Sequence, residues 1–193
     1  KQVKADQNNA SNVSVLKLNA TKNFVTGIYP YSIMQSTFFP VDNNQHAIKL
    51  SSSVQEWCGQ QYIQLNNRNQ FEIKQHSYFE TTGDKSFNIE KAILENEIWT
   101  QLRINPKALH KPIKAYNAIG KLEKNNYSLN FPELNRNLNI TFNKSFPFEI
   151  ISWQETYNNQ VTKATKLKTI KSAYWNKKTN KDNSLREALL LKN

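Results

Sequence analysis

A single cysteine, Cys58, lies between Trp57 and Gly59, and three histidines, His46, His76 and His110, are the only imidazoles that could serve it as a base. A thiolate beside such a base would be a nucleophile for acyl transfer or hydrolysis. The Trp57-Cys58-Gly59 run is also half of a disulfide-exchange site. Resolving a mixed disulfide needs a second cysteine, and the sequence has none. Between two apolar strand patterns the commoner role of a lone cysteine is that of a small core hydrophobe, so Cys58 is expected to be a buried, inert thiol. A carboxylate pair is the other route to hydrolysis. Glu56, Glu72 and Glu80 sit on neighbouring strand patterns and could converge as acid and base, although solvent-facing glutamates explain them equally well. Neither HExxH nor CxxC spacing occurs, so no metal site is expected. The four glycines, Gly27, Gly59, Gly83 and Gly120, are too far apart for GxGxxG or a Walker loop, which excludes the familiar nucleotide cofactor sites; no cofactor is expected.

The aromatic residues offer a different chemistry. Trp57, Trp99 and Trp153, together with Tyr29, Tyr31 and Phe38, are the candidate ligand-contacting residues. In a curled sheet such rings fill the core or, where the interior is not filled, line an apolar pocket for a hydrophobic small molecule.

These residues must be positioned by strands. Val13 and Val15 open an alternating run that extends to Asn19. Further strand patterns cover Phe24 to Tyr31, Ser36 to Phe39, Ala47 to Val54, Gln60 to Leu65 and Phe71 to Phe79. The period then changes. Ile93, Leu94, Ile98, Trp99 and Leu102 recur at helical spacing between Glu90 and Ile104, with glutamates early, Arg103 late and Pro106 just beyond. This predicts one amphipathic helix, with a strand over Ile98 to Ile104 as its competitor. Strand patterns return at Ala115 to Leu122, Tyr127 to Phe131, Leu138 to Phe142, Phe146 to Tyr157 and Val161 to Ile170, and a short helix is expected within Asn183 to Leu191. Asparagine occurs 27 times, often as pairs between apolar runs. It tolerates the left-handed backbone that tight turns require, and Asn158-Asn159 is the strongest hairpin signal. The reading is mainly β: an antiparallel meander forming a strongly curved sheet or open barrel, with one amphipathic helix and a short C-terminal helix.

With 193 residues, 38% of them hydrophobic, the chain suits a single domain that buries about 70% of its unfolded surface without metals or disulfides. Residues 1–12 lack apolar periodicity and are expected to be a flexible leader to a domain spanning 13–193; the start at Lys1 suggests that an export signal has been removed. The net charge of +11 is concentrated at the C-terminal end, where residues 161–193 carry nine basic side chains against two acidic ones. Only four of all the basic residues are Arg, which favours a solvated lysine face over a specific reader of nucleic acid. The lysines between Lys163 and Lys192 are expected to guard a sheet edge and to attract polyanions weakly.

The runs Gly27-Ile28-Tyr29-Pro30-Tyr31-Ser32-Ile33-Met34, Val54-Gln55-Glu56-Trp57-Cys58-Gly59 with Gln64-Leu65-Asn66, and Ser77-Tyr78-Phe79-Glu80 resemble a family of exported, lipoprotein-like proteins of Bacteroidetes-type bacteria. Leu102-Arg103-Ile104-Asn105-Pro106 and the closing Tyr174-Trp175 with Asp182, Leu185 and Arg186 extend the likeness over nearly the whole chain. Members often carry the label of a Maf-like septum-formation inhibitor, but the Ser-x-Arg-Arg motif of the Maf nucleotide pyrophosphatases has no counterpart here. The resemblance implies a location outside the cytoplasm, periplasmic or lipid-anchored at the envelope through a lipid upstream of Lys1, and no particular activity.

The leading expectation is a non-enzymatic binding or envelope-interaction module whose partner is an envelope component or a hydrophobic small molecule. A hydrolase using Cys58 or a carboxylate pair is the alternative, and a weak polyanion binder acting through the lysine-rich end is third.

Overall fold

The computed structural model describes residues 3, 7, 9–42, 46–109, 114–115 and 118–191. Six antiparallel strands follow one another in sequence order: β1 (Val15–Thr26), β2 (Tyr29–Pro40), β3 (Lys49–Glu56), β4 (Gly59–Asn67), β5 (Phe71–Ser77) and β6 (Lys85–Ile89). Helix α1 (Glu95–Ile104) and a 3-10 turn (Pro106–Leu109) lead to a second meander. Its strands are β7 (Lys114–Ala115), β8 (Ala118–Glu123), β9 (Asn126–Phe131), β10 (Arg136–Phe142), β11 (Ile150–Tyr157) and β12 (Gln160–Thr165). Helix α2 (Ser184–Ala188) lies near the C-terminus. The mainly-β antiparallel meander is therefore present, divided over two sheets that do not close into a barrel.

Turn chemistry sets the hairpins. Asn158 and Asn159 both take positive φ, 46° and 65°, between the paired residues Tyr157 and Gln160, as a two-residue turn matched to strand twist requires. Gly27, at φ 59°, turns β1 into β2, so the run from Phe24 to Tyr31 read as one strand is broken into two. Strand β6, which that reading lacks, pairs Ile89 with Phe71.

That pairing also moves the helix start from the expected Glu90 to Glu95, because Ile89 is held in the sheet. The entry is stabilised by Glu97, whose carboxylate accepts the N–H of Leu94 at 3.0 Å and the N–H of Ala47 at 2.5 Å, with His46 Nδ1 at 3.3 Å. One buried side chain thus caps the helix and ties it to the loop before β3. The helical alternative over Ile98 to Ile104 holds, and the strand competitor does not form. Two other expected strands are shorter: the one from Phe146 begins at Ile150, and the one reaching Ile170 stops at Thr165.

Cross-strand register makes the core. Leu18, Thr37, Leu50, Leu65 and Ile73 are successive partners across β1 to β5 and so share one face of the first sheet. Phe39, Leu50, Leu65, Phe71 and Ile73 pack with Leu94 of the helix entry. The second sheet contributes Tyr127, Leu129, Leu138, Ile140 and Phe142, which pack with Ile98 and Leu102 of α1. Helix α1 therefore serves both cores, and the two apolar clusters part along it.

Candidate functional site

A cavity of about 440 Å³ lies along that parting, bounded by β1 and β2 of the first sheet, by α1, and by β10 and β11 of the second. Four residues of α1 line it, Glu95, Asn96, Trp99 and Arg103, of which Glu95, Trp99 and Arg103 are four apart and hence on one helix face. The first sheet supplies Leu18, Ala20 and Lys22 from β1, with Ile33, Gln35 and Thr37 opposite them on β2 at the two-residue strand period, and the intervening Thr21 also borders the space. The second sheet supplies buried Leu138 with Arg136, and Trp153 with Glu155.

The lining combines apolar, polar and charged side chains. Trp99 and Trp153 meet edge to face, with centroids 6.2 Å apart. Arg136 forks onto Glu95 through two hydrogen bonds of 2.6 and 2.9 Å, and its Nη2 also donates to Glu155 at 2.6 Å. Its plane lies over the Phe131 ring at 4.7 Å. The hydrogen bonds to Glu95 outweigh burial and hold the Arg136 guanidinium above its ordinary pKa, so it stays charged. Arg103 is shifted the other way: burial lowers its pKa, partly offset by the more distant Glu149. Among the described residues its hydrogen bond goes to the carbonyl of Trp99 at 2.6 Å, within its own helix. Lys22 Nζ lies 5.8 Å from the Trp153 ring.

The lining holds no imidazole or thiol, and both of its carboxylates are engaged by Arg136. Such a site can enclose an apolar body and meet a polar end. It has no group placed for nucleophilic attack.

Of the six aromatic candidates, Trp99 and Trp153 come together here. Tyr29, Tyr31 and Trp57 form a separate cluster at the tips of the first hairpins, with Tyr29 5.3 Å from Tyr31 and 5.4 Å from Trp57, and with Phe24 stacked on Tyr31. Phe38 points to the face opposite Thr37 and Phe39, where Lys17 Nζ lies 5.0 Å from its ring. Reading aromatic content alone missed the charged half of the site. The signal that could have found it is the spacing of Glu95, Trp99 and Arg103 on one helix.

The expected burial of Cys58 is overturned. With Trp57 it forms the exposed two-residue turn between Glu56 and Gly59, where the hairpin projects beyond any covering element. Cys58 Sγ accepts the Tyr29 hydroxyl at 2.8 Å, and its N–H reaches Glu56 at 2.7 Å. Hydrogen bonds to Cys58 and to Glu56 push the Tyr29 phenol above its ordinary pKa. His46 pairs with Glu97 and His76 with Asp84, so neither reaches the thiol; His110 lies outside the described residues. Glu72 and Glu80 are exposed, and no described hydrogen bond joins them to Glu56.

Among the described residues no three His, Cys, Asp or Glu side chains cluster as metal ligands, and no helix is long and apolar enough to cross a membrane. At the basic end, Lys163 sits on the edge strand β12 and Lys166 pairs with Glu149. In comparisons with known proteins, the chain matches no family model, no curated protein and no solved structure.

Proposed function

We propose that this chain is a non-enzymatic binding module that takes a hydrophobic small molecule into the cavity between β1, β2, α1, β10 and β11, and that it works outside the cytoplasm at the cell envelope. The observation that carries the reading is the cavity itself. Two well-packed cores flank a space of about 440 Å³ that no side chain fills, and the paired indoles of Trp99 and Trp153 face it. Its lining residues Ala20, Thr21, Lys22 and Gln35 are exposed, so the space is a cleft open to solvent along β1 and β2, by which a small molecule can enter. Its volume falls in the range of small-molecule sites. The envelope location rests on the likeness to exported, lipoprotein-like proteins.

Calorimetric titration with dodecanol tests the binding. Saturable uptake is expected in the wild type and its loss in Ala20→Trp, which puts an indole into the cavity from the exposed edge of β1. Absence of uptake, or uptake unchanged by the plug, would overturn the reading. Fractionation of the source cells tests the location, with the protein expected in the envelope fraction.

A further inference from the structure

We propose that the molecule held in the cavity is a single-chain amphiphile with one negative charge, such as a fatty-acid anion, whose head group is met by Arg103 and Lys22. This rests on the binding role assigned to the cavity above.

The charge inventory of the lining points to it. Five ionisable side chains face the cavity: Lys22, Arg103 and Arg136 against Glu95 and Glu155. Three positive charges oppose two negative ones, which leaves one positive charge in excess. Arg136 is fully committed, since both Glu95 and Glu155 bind it. That triad carries a net charge of −1, and the positive charge that outweighs it is on Arg103 and Lys22.

Neither of these has a carboxylate at hydrogen-bond distance among the described residues. The acid that influences Arg103 through space, Glu149, is itself held by Lys166 and by the Thr169 hydroxyl at 2.7 Å. An arginine carries five N–H donors, and the bond to the Trp99 carbonyl uses one. A half-buried guanidinium with donors to spare is a ready partner for a carboxylate, which it can grip at two points. Lys22 stands at the exposed rim beside the Trp153 ring, where a flexible ammonium can follow a head group entering along β1.

The remaining lining fits the other end of such a ligand. Leu18, Ile33 and Leu138 with the two indoles supply its apolar surface. At about 440 Å³ the space is near the low end of small-molecule sites, suited to one alkyl chain rather than to a two-chain lipid.

The test compares dodecanoate, dodecanol and dodecyltrimethylammonium by calorimetry at low salt and pH 8, below the concentrations at which they form micelles. Dodecanoate is expected to bind about tenfold more tightly than dodecanol, the scale of one charge-assisted hydrogen bond, and the cationic amphiphile more weakly than either. Arg103→Met should remove the advantage of dodecanoate, and Lys22→Met, at an exposed position that tolerates change, should reduce it severalfold. Lys163→Met, at a position that pairs with Gln154 and so lies on the face of the second sheet opposite Trp153 and Glu155, should leave it intact. Equal affinity for dodecanoate and dodecanol, or a preference that survives in Lys22→Met and Arg103→Met alike, would overturn the head-group assignment while the cavity role stands. Failure of all three amphiphiles to bind would overturn the cavity role and this inference with it.

Discussion

Trp99 of helix α1 and Trp153 of strand β11 meet edge to face, ring planes at 84° and centroids 6.2 Å apart, so that one aromatic contact joins the helix to the second sheet at the wall of the cavity. Both rings are half-buried, because one side of each faces the cavity instead of packed atoms. Their energetic weight is divided between stability and ligand contact.

Replacing either Trp99 or Trp153 with Ala is therefore expected to cost about 2 kcal/mol in urea unfolding, below the ~3–5 kcal/mol of a fully enclosed indole. The double variant should cost about 1 kcal/mol less than the sum of the two, since the edge-to-face contact is lost only once. Trp57→Ala, at a turn where the ring is 64% exposed, should change stability by no more than about 0.5 kcal/mol. A large loss at Trp57 would refute this division.

The Cys58 thiol is on the surface, so a thiol reagent is expected to label it in the native protein at a rate close to that in denaturant. Tyr29→Phe removes the hydroxyl at 2.8 Å from the sulfur and should leave labelling fast. Labelling that accelerates strongly only on denaturation would contradict the exposed placement.

Two glycines each sit where a Cβ would clash with a tyrosine. A Cβ on Gly120 would lie 2.1 Å from the Tyr127 hydroxyl, which is fully buried and lacks a hydrogen-bond partner among the described residues. Burial pushes that phenol's pKa up to about 12. Gly120→Ala should cost about 3 kcal/mol in thermal or urea unfolding, the scale of core overpacking. Tyr127→Phe should be neutral or stabilising by about 1 kcal/mol, because an unsatisfied hydroxyl leaves the core, and it should recover part of the Gly120→Ala loss. At Gly59 a Cβ would meet the Tyr78 ring at 2.5 Å and Tyr78 Cβ at 2.8 Å, and rotating an exposed ring does not move its own Cβ, so the backbone there must shift and Gly59→Ala should cost about 1–3 kcal/mol.

Glu97 gives the protein a distinctive pH dependence. Its carboxyl is buried, and desolvation raises its pKa above the ordinary value of 4.5 despite the N–H groups of Leu94 and Ala47 and the nearby His46. The folded state thus holds the Glu97 proton more tightly than the unfolded chain does. Its contribution to stability is complete below pH 4.5 and is lost as pH rises through the raised folded value. The acids with lowered values, Asp84 and Glu149 among them, act in the opposite sense and only below their ordinary range. Between pH 5 and 7, wild-type Tm should fall relative to Glu97→Gln, which cannot titrate. Parallel Tm curves for the two proteins would refute this. Glu97→Ala, which strips two buried N–H groups of their acceptor, should cost about 3 kcal/mol at any pH in that range.

What could be read from the sequence was what local periodicity and turn chemistry encode. Strand patterns over Ala47 to Val54, Phe71 to Phe79 and Leu138 to Phe142 marked what the structure forms as Lys49–Glu56, Phe71–Ser77 and Arg136–Phe142, because side chains alternate between the two faces of a strand. Asn158-Asn159 marked a hairpin, because few residues accept two successive positive φ angles. Ile98 and Leu102 marked a helix through their four-residue spacing. Burial and convergence were decided elsewhere. The same apolar, turn-flanked pattern surrounds Cys58 and Trp57 as surrounds a core residue, and only the projection of the β3–β4 hairpin past its neighbours put them in solvent. Glu95 and Arg136, 41 residues apart, form an ion pair only because α1 crosses the second sheet, a relation that no sequence spacing records. The six aromatic candidates were divided in the same way: alternation sent Phe38 to the opposite face, the hairpin tips held Tyr29, Tyr31 and Trp57, and the packing of one helix between two sheets brought Trp99 to Trp153. Local residue types specify which elements form, whereas the side chains that share a cavity are set by how those elements bury their apolar faces together.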